Sequence, residues 1–325
     1  MTRQQLTISV LSILVLARLF FSDVIVYAAN NSDIPVLNCA LHIEHLSRAL
    51  YTEGLARFSV QDFVGSGLEP WMYGRLQEIL QHEEAHVEFL QGVVSEGGGE
   101  PVARCVYNFP YSDPKSFVET ASKLETIGTA AYHGATAMLT DEQYISASGS
   151  IFSIEARHSG WIDSSIRKGS AWSGAFGVPL NCGQILTLVS PYIESCPYTE
   201  PSLLPTAYPP LTISNDARPN EITSLSFAFP QNSNSSISSS DSPSPSLFAT
   251  FLTSNAGALS APVILHDEQG TLNAQVRVPE NIRGDVFVII TTDAGDTDPG
   301  HVAAESIVAG PALVRVGFDS EGRLG

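Results

Sequence analysis

The chain has 325 residues, of which 43% are hydrophobic and 15% charged, and this composition excludes a disordered protein. Its length leaves room for two domains. The formal net charge is −18, so the surface repels nucleic acid and anionic lipid, and we expect neither as a partner.

The N-terminal segment has the pattern of a cleaved secretory signal. Arg3 precedes an apolar run from Leu6 to Ala17, and the segment ends in two alanines. The alternative is a membrane anchor, but the apolar run before Arg18 is short for a bilayer span. We therefore expect residues 1–28 to be removed and the protein to be secreted, with no membrane attachment afterwards.

Four amphipathic helices are predicted before about residue 170. In the second, Glu83 and His86 fall on the apolar i, i+3, i+4, i+7 stripe, and the fourth repeats this pattern around Glu155 and His158. A buried carboxylate is costly unless it is paired or bound to a metal, so a solvated acidic face is a poor interpretation of these positions.

The connections between these helices predict their topology. Short connections make helices one and two, and helices three and four, antiparallel hairpins. The longer segment from Gly97 to Asp113 reaches about 55 Å when extended, enough to travel the length of a bundle. One long crossover is typical of the ferritin-like four-helix bundle, which we expect over residues 33–196, with its halves related by a pseudo-twofold axis.

The same ligand pattern occurs twice in the sequence: a lone Glu on one helix is followed by a Glu-x-x-His on the next helix. Each occurrence is one half-site. Residues three apart share a helix face, so each Glu-x-x-His can offer a carboxylate and an imidazole to one metal ion. The predicted metal ligands are Glu44, Glu83, His86, Glu125, Glu155 and His158. The first three would serve one ion and the last three the other, with Glu83 and Glu155 as the bridges.

This ligand set favours two Fe or Mn ions, because it is rich in carboxylates and poor in imidazoles. Two such ions about 3.5–4 Å apart can share a two-electron change, which permits reduction of dioxygen or peroxide, or oxidation of a small substrate. Tyr51 and Tyr132 each follow a lone Glu by seven residues and are the candidate catalytic residues. The alternative is a buried tyrosine whose hydroxyl simply finds a partner.

Four cysteines in a secreted chain favour two disulfides. Cys39 begins the first helix and Cys105 follows the second, and these ends are neighbours in an antiparallel pair. Cys182 and Cys196 bracket a short segment. We therefore predict the pairs Cys39–Cys105 and Cys182–Cys196.

The composition shifts after Cys196. Residues 197–210 are rich in proline and predict a linker, and the apolar-alternating runs that follow predict a small immunoglobulin-like β-sandwich over residues 211–319. The Asn-x-Ser sequences at Asn30 and Asn234 are predicted glycosylation sites, the second within a Ser/Pro-rich stretch.

The helical part resembles the ferritin-like domain of secreted fungal stress-responsive and plant desiccation-related proteins. The stretches that carry the likeness are Leu41–Tyr51, Glu83–Leu90, Tyr107–Pro110 and Ile154–Trp161. The resemblance covers about half of the chain, and its metal motif is complete. It implies a metal-binding bundle and a role in stress, and says less about the reaction.

Two classes of function are compatible with these features. The first is a di-metal redox enzyme, an oxidase, peroxidase or catalase-like protein whose partner is a small-molecule oxidant or substrate. The second is a non-catalytic extracellular protein that sequesters metal or has a structural role at the cell wall. Catalysis additionally requires an open coordination position.

Overall fold

The structure is a computed structural model. It describes residues 33–198, 203–214, 217–227, 247–268, 271–294, 302–319 and 321–324. The predicted signal segment, residues 1–28, and both predicted glycosylation sites, Asn30 and Asn234, lie outside these ranges.

The first half contains α1 (Ile34–Arg57), α2 (Val60–Gly65), α3 (Pro70–Glu96), α4 (Pro114–Met138) and α5 (Glu142–Trp161). Four of these helices, α1, α3, α4 and α5, match the four that the apolar periodicity predicts. Proline occupies the first turn of α1, α3 and α4, where its missing N–H costs nothing. Asp113 and Asp141 cap α4 and α5 by accepting backbone N–H hydrogen bonds. The short α2 begins with a capping box formed by Ser59 and Asp62. It lies in the short connection between the first and second predicted helices.

The bundle has the predicted arrangement. Helix α1 packs against α3, α4 packs against α5, and α1 also packs on α4. Residues 97–113 connect the two hairpins and contain the short strand β1 (Val106–Tyr107). The ferritin-like four-helix bundle is therefore confirmed.

The chain returns along the bundle after α5. A π-helical turn (Ile162–Ile166) extends α5, and α6 (Cys182–Val189) packs against α4. The strand β2 (Ile193–Ser195) then pairs antiparallel with β1, with Val106 opposite Ser195.

The predicted disulfide connectivity is wrong. Cys39 is bonded to Cys182 and Cys105 to Cys196, with Cα atoms 6.0 and 4.3 Å apart, instead of Cys39–Cys105 and Cys182–Cys196. The β1–β2 pairing aligns Cys105 with Cys196, and the returning α6 brings Cys182 to the start of α1. The crossover does pass beside α1, where Asn38 hydrogen-bonds Glu100 and Val102, but Cys105 lies farther along.

The second half is an antiparallel β-sandwich, as predicted. Its strands are β3 (Leu211–Ile213), β4 (Ile222–Phe227), β5 (Phe248–Thr253), β6 (Gly257–Glu268), β7 (Thr271–Arg277), β8 (Gly284–Thr291) and β9 (Ile307–Val316). Their order is β3-β4-β7-β6-β5-β8-β9. The first half of β6 pairs with β5 and the second half with β7, so this strand belongs to both layers and brings the fold close to a barrel.

The helical and β parts share apolar contacts. Leu252, Phe287 and Ile289 belong to the same buried cluster as the bundle core. The predicted linker follows the bundle, since Leu204 is buried and Tyr208 donates its backbone N–H to Thr187 of α6. The division at residues 197–210 stays a prediction. No helix among the described residues is long and apolar enough to cross a membrane.

Candidate metal centre

The structure brings all six predicted ligands together in the middle of the bundle. Helices α1 and α4 each contribute one Glu, and α3 and α5 each contribute a Glu and a His. Their ligand atoms form two groups, and within each group all atoms lie within 4.8 Å of one another. The groups are Glu44, Glu83, His86 and Glu155, and Glu83, Glu125, Glu155 and His158. Glu83 and Glu155 are common to both, which is the position expected of bridging carboxylates.

Both imidazoles present Nδ1 to the centre. Nδ1 of His86 lies 3.3 Å from Oε2 of Glu44 and 3.3 Å from Oε1 of Glu155. Nδ1 of His158 lies 3.3 Å from Oε1 of Glu83 and 3.3 Å from Oε2 of Glu125. The two half-sites thus repeat each other, as the doubled sequence motif predicts.

Two tyrosine–glutamate hydrogen bonds cross the bundle. The hydroxyl of Tyr51 on α1 donates to Oε1 of Glu125 on α4, and the hydroxyl of Tyr132 on α4 donates to Oε1 of Glu44 on α1. Each tyrosine therefore serves the carboxylate of the opposite half-site and not the one seven residues before it. Both rings are buried, and burial together with the adjacent carboxylate raises the pKa of each hydroxyl well above its ordinary value, so the proton stays on oxygen.

Four carboxyl groups are buried close together in the site, and their mutual repulsion shifts the pKa values of its residues. Burial and the other carboxylates raise the pKa of Glu83 well above its ordinary value and that of Glu155 to about 8. Burial opposes the charged form of His86, but Glu44 and its neighbours outweigh burial and raise the pKa of His86 to about 11. Without a bound cation, protons on Glu83, Glu155 and His86 therefore neutralise part of the negative charge of the site.

The donor set fits metal ions. Seven buried ligand atoms have no hydrogen-bond partner among the described residues: Glu44 Oε2, Glu83 Oε1 and Oε2, His86 Nδ1, Glu125 Oε2, Glu155 Oε1 and His158 Nδ1. Buried polar atoms are nearly always satisfied, so a cluster of ligand atoms that face one another without hydrogen bonds fits a bound cation. Carboxylate oxygens with two imidazole nitrogens suit Fe or Mn. Ligation itself stays a prediction.

His82 contacts the site, although it is not among the six predicted ligands. Its Nδ1 lies 2.9 Å from Nε2 of His158, with the two rings within 7° of parallel. A metal-ligating imidazole usually uses its second nitrogen for a hydrogen bond that fixes its orientation, and His82 takes that role here. The equivalent position before Glu155 is Ile154, whose side chain cannot hydrogen-bond, so the sequence does not repeat this contact in the half-site of His86. The visible sequence signal was a histidine immediately before Glu83.

Gly128 on α4 leaves room for Glu155, a candidate metal ligand on α5. A Cβ added at Gly128 would lie 2.9 Å from Oε2 of Glu155, closer than real side chains approach. The absence of a side chain on α4 therefore lets the Glu155 carboxylate reach the centre.

Comparison with known proteins agrees with this geometry. Residues 32–168 match the family model of the ferritin-like domain. The chain is also similar to Protein rds1 of Schizosaccharomyces pombe, with 23% identity over 208 residues, which cover 60% of this chain and 48% of that protein. The chain thus spans about half the length of this curated relative. Helices α1 and α3–α5 with the six candidate ligands lie within the matched range, and this part of the chain has the ferritin-like four-helix fold.

Proposed function

We propose that this protein is a secreted di-metal protein that holds two Fe or Mn ions in its ferritin-like domain and uses them for redox chemistry on dioxygen or peroxide, or on a small organic substrate. The observation that carries the proposal is the set of seven buried, unpartnered ligand atoms on four carboxylates and two imidazoles. Two ions of this kind would supply a two-electron change at one buried place.

The protein's own residues would prepare this chemistry in two ways. The four helices exclude bulk water, since each of the four ligand carboxylates is at most 2% exposed. Tyr51 and Tyr132 keep Glu125 and Glu44 in place and hold a proton within reach of the ligand carboxylates. With six protein ligands for two ions, coordination positions are left for an oxidant or a substrate.

Secretion is part of the proposal. The two disulfides are compatible with an oxidising compartment. The role in stress rests on the family resemblance alone.

The test is elemental analysis of natively purified protein, followed by assays of peroxide and dioxygen consumption with reductant supplied. We expect about two Fe or Mn ions per chain, and loss of both metal and activity in Glu83→Gln. Glu84→Gln is the matched control, because Glu84 is the exposed neighbour on the same helix. A folded protein that takes up neither ion would refute the metal site.

A metal-loaded protein that reacts with neither oxidant would refute the redox proposal and leave metal binding intact. A sequestering or structural protein at the cell wall would then be the better hypothesis. Equal activity of Glu83→Gln and wild-type protein would place the reaction elsewhere.

A further inference from the structure

A cavity of about 260 Å³ lies between the helical part and the β-sandwich. Its floor is formed by one face of α4 and α5, and its opposite wall by Ser254, Asp285 and Phe287 of the β part. Residues 170–178 form its rim. None of the six candidate metal ligands lines it, so it is separate from the metal centre. Its size is close to the lower end of the range for small-molecule pockets, about 300 Å³, and such pockets often lie between domains.

The lining is rich in hydroxyl groups. They belong to Thr126, Thr129, Ser159, Ser170 and Ser173. Thr126, Thr129 and Ser170 donate to backbone carbonyl oxygens, so their hydroxyls can still accept from a ligand. Ser173 accepts from the backbone N–H of Asp285, so its hydroxyl can still donate, and the lining suits a ligand that carries both kinds of group.

The charged side chains of the lining are already compensated. Asp163 accepts from Arg167 at 2.8 Å, and Asp285 accepts from Nε of Arg315 at 2.8 Å. Arg315 also donates to the hydroxyl of Thr126 and so connects the β-sandwich to α4. Because each carboxylate has its own guanidinium, the cavity has little to offer an ionic ligand.

Ser159 has hydrogen-bonding capacity to spare. It lines the cavity, and the contact that the described residues give its hydroxyl is a long one, 3.4 Å from Oγ1 of Thr126. A ligand hydroxyl in the cavity would give Ser159 a shorter hydrogen bond.

The rim carries two exposed aromatic rings. Trp172 is 73% exposed and Phe176 is 79% exposed, although both belong to the cavity lining. Large exposed aromatic rings beside a polar pocket offer a flat apolar face to a ligand that is polar at its edges. A sugar ring has this character, with C–H groups on its faces and hydroxyls around its edge.

We propose that this cavity binds a neutral sugar or cyclic polyol of about one ring, with its edge hydroxyls on Ser159 and the neighbouring hydroxyls and one face on Trp172. The test uses D-glucose as the probe, titrated into the full chain by isothermal calorimetry or followed by saturation-transfer NMR. We expect saturable binding with a dissociation constant of about 1 mM, the range for a ligand of roughly a dozen non-hydrogen atoms.

Matched variants locate the binding. Ser159→Ala and Trp172→Ala should each weaken glucose binding by about tenfold. Ser153→Ala, on the exposed face of α5, and Trp71→Ala, an exposed tryptophan outside the cavity, should leave it unchanged. Equal binding by all four variants would overturn the assignment.

Two further measurements keep the proposal independent of the metal centre. Chelator-treated protein should bind glucose as well as untreated protein does, and loss of binding on chelation would overturn a separate site. Gluconate, an anion of similar size, should bind at least tenfold more weakly than glucose. Comparable gluconate binding, or no saturable binding of glucose, would overturn a neutral sugar as the ligand.

Discussion

Tyr51 on α1 donates a hydrogen bond to Glu125 on α4, although Glu44 is the candidate ligand on its own helix. Tyr132 makes the reciprocal bond to Glu44, so each half-site depends on the other for the orientation of one carboxylate. A hydroxyl that a carboxylate holds beside a buried site is well placed to transfer a proton.

The first prediction concerns these two hydroxyls. Tyr51→Phe and Tyr132→Phe should keep the metal content, because phenylalanine retains the packing, and should lower the rate of oxidant consumption by about 100-fold. Tyr73→Phe is the control, since its hydroxyl donates to Leu55 outside the site. Unchanged rates in both site variants would show that the hydroxyls only satisfy the carboxylates.

The second prediction concerns pH. In the metal-free protein, Glu155 with a pKa of about 8 and His86 with a pKa of about 11 hold protons that a metal ion must displace. Proton competition falls as pH rises, so the apparent affinity for Mn²⁺ or Fe²⁺ should increase between about pH 6 and 8. The increase should reach about 100-fold per pH unit where two protons leave. Calorimetry in buffers of different ionisation enthalpy counts the protons, and an affinity independent of pH would contradict this charge state.

The third prediction concerns Gly128. In Gly128→Ala the new Cβ must displace the Glu155 carboxylate, so metal affinity should fall by at least tenfold. The metal-free protein should keep its stability, because only the end of one side chain moves and alanine favours a helix over glycine by about 1 kcal/mol. Gly149→Ala is the control, since its Cβ would meet nothing within 4 Å. Normal metal affinity in Gly128→Ala would argue against Glu155 as a ligand.

The fourth prediction concerns His82. His82→Ala should lower metal affinity by about 10–100-fold, because the second nitrogen of His158 loses its partner. His82→Gln, which can still hydrogen-bond Nε2 of His158, should recover most of the affinity. His133→Ala, on α4 and outside both ligand groups, is the control. Unaltered metal binding in His82→Ala would limit this residue to packing.

The fifth prediction concerns the disulfides. Peptide mapping without reduction should yield the linked pairs Cys39–Cys182 and Cys105–Cys196. These bonds close segments with sequence separations of 143 and 91 residues, so removing either pair should lower the free energy of unfolding by about 2–5 kcal/mol. Denaturant titration of Cys105→Ala/Cys196→Ala measures this cost. Recovery of a Cys39–Cys105 peptide would contradict the structure.

The sequence by itself determined the four bundle helices and the residues that meet at their centre. Helical periodicity is local, so a Glu-x-x-His on an apolar stripe already states which side chains share the buried face. The single long crossover between the two hairpins also predicted that the halves are related by a pseudo-twofold axis. The β-sandwich was predictable for the same reason, because the alternation of apolar and polar residues over short runs is also a local pattern.

Only the tertiary structure decided which distant residues touch. The seven-residue spacing from a lone Glu marked Tyr51 and Tyr132 as candidates, but helix packing decides that each hydroxyl bonds the carboxylate of the opposite half-site. The cysteine pairs depend on a two-residue strand and on the path of the chain after α5. Neither feature has a local sequence pattern long enough to predict it. The cavity between the bundle and the β-sandwich likewise depends on tertiary contacts, among them Arg315 with Thr126 and Phe287 with the bundle core, which join residues far apart in the chain.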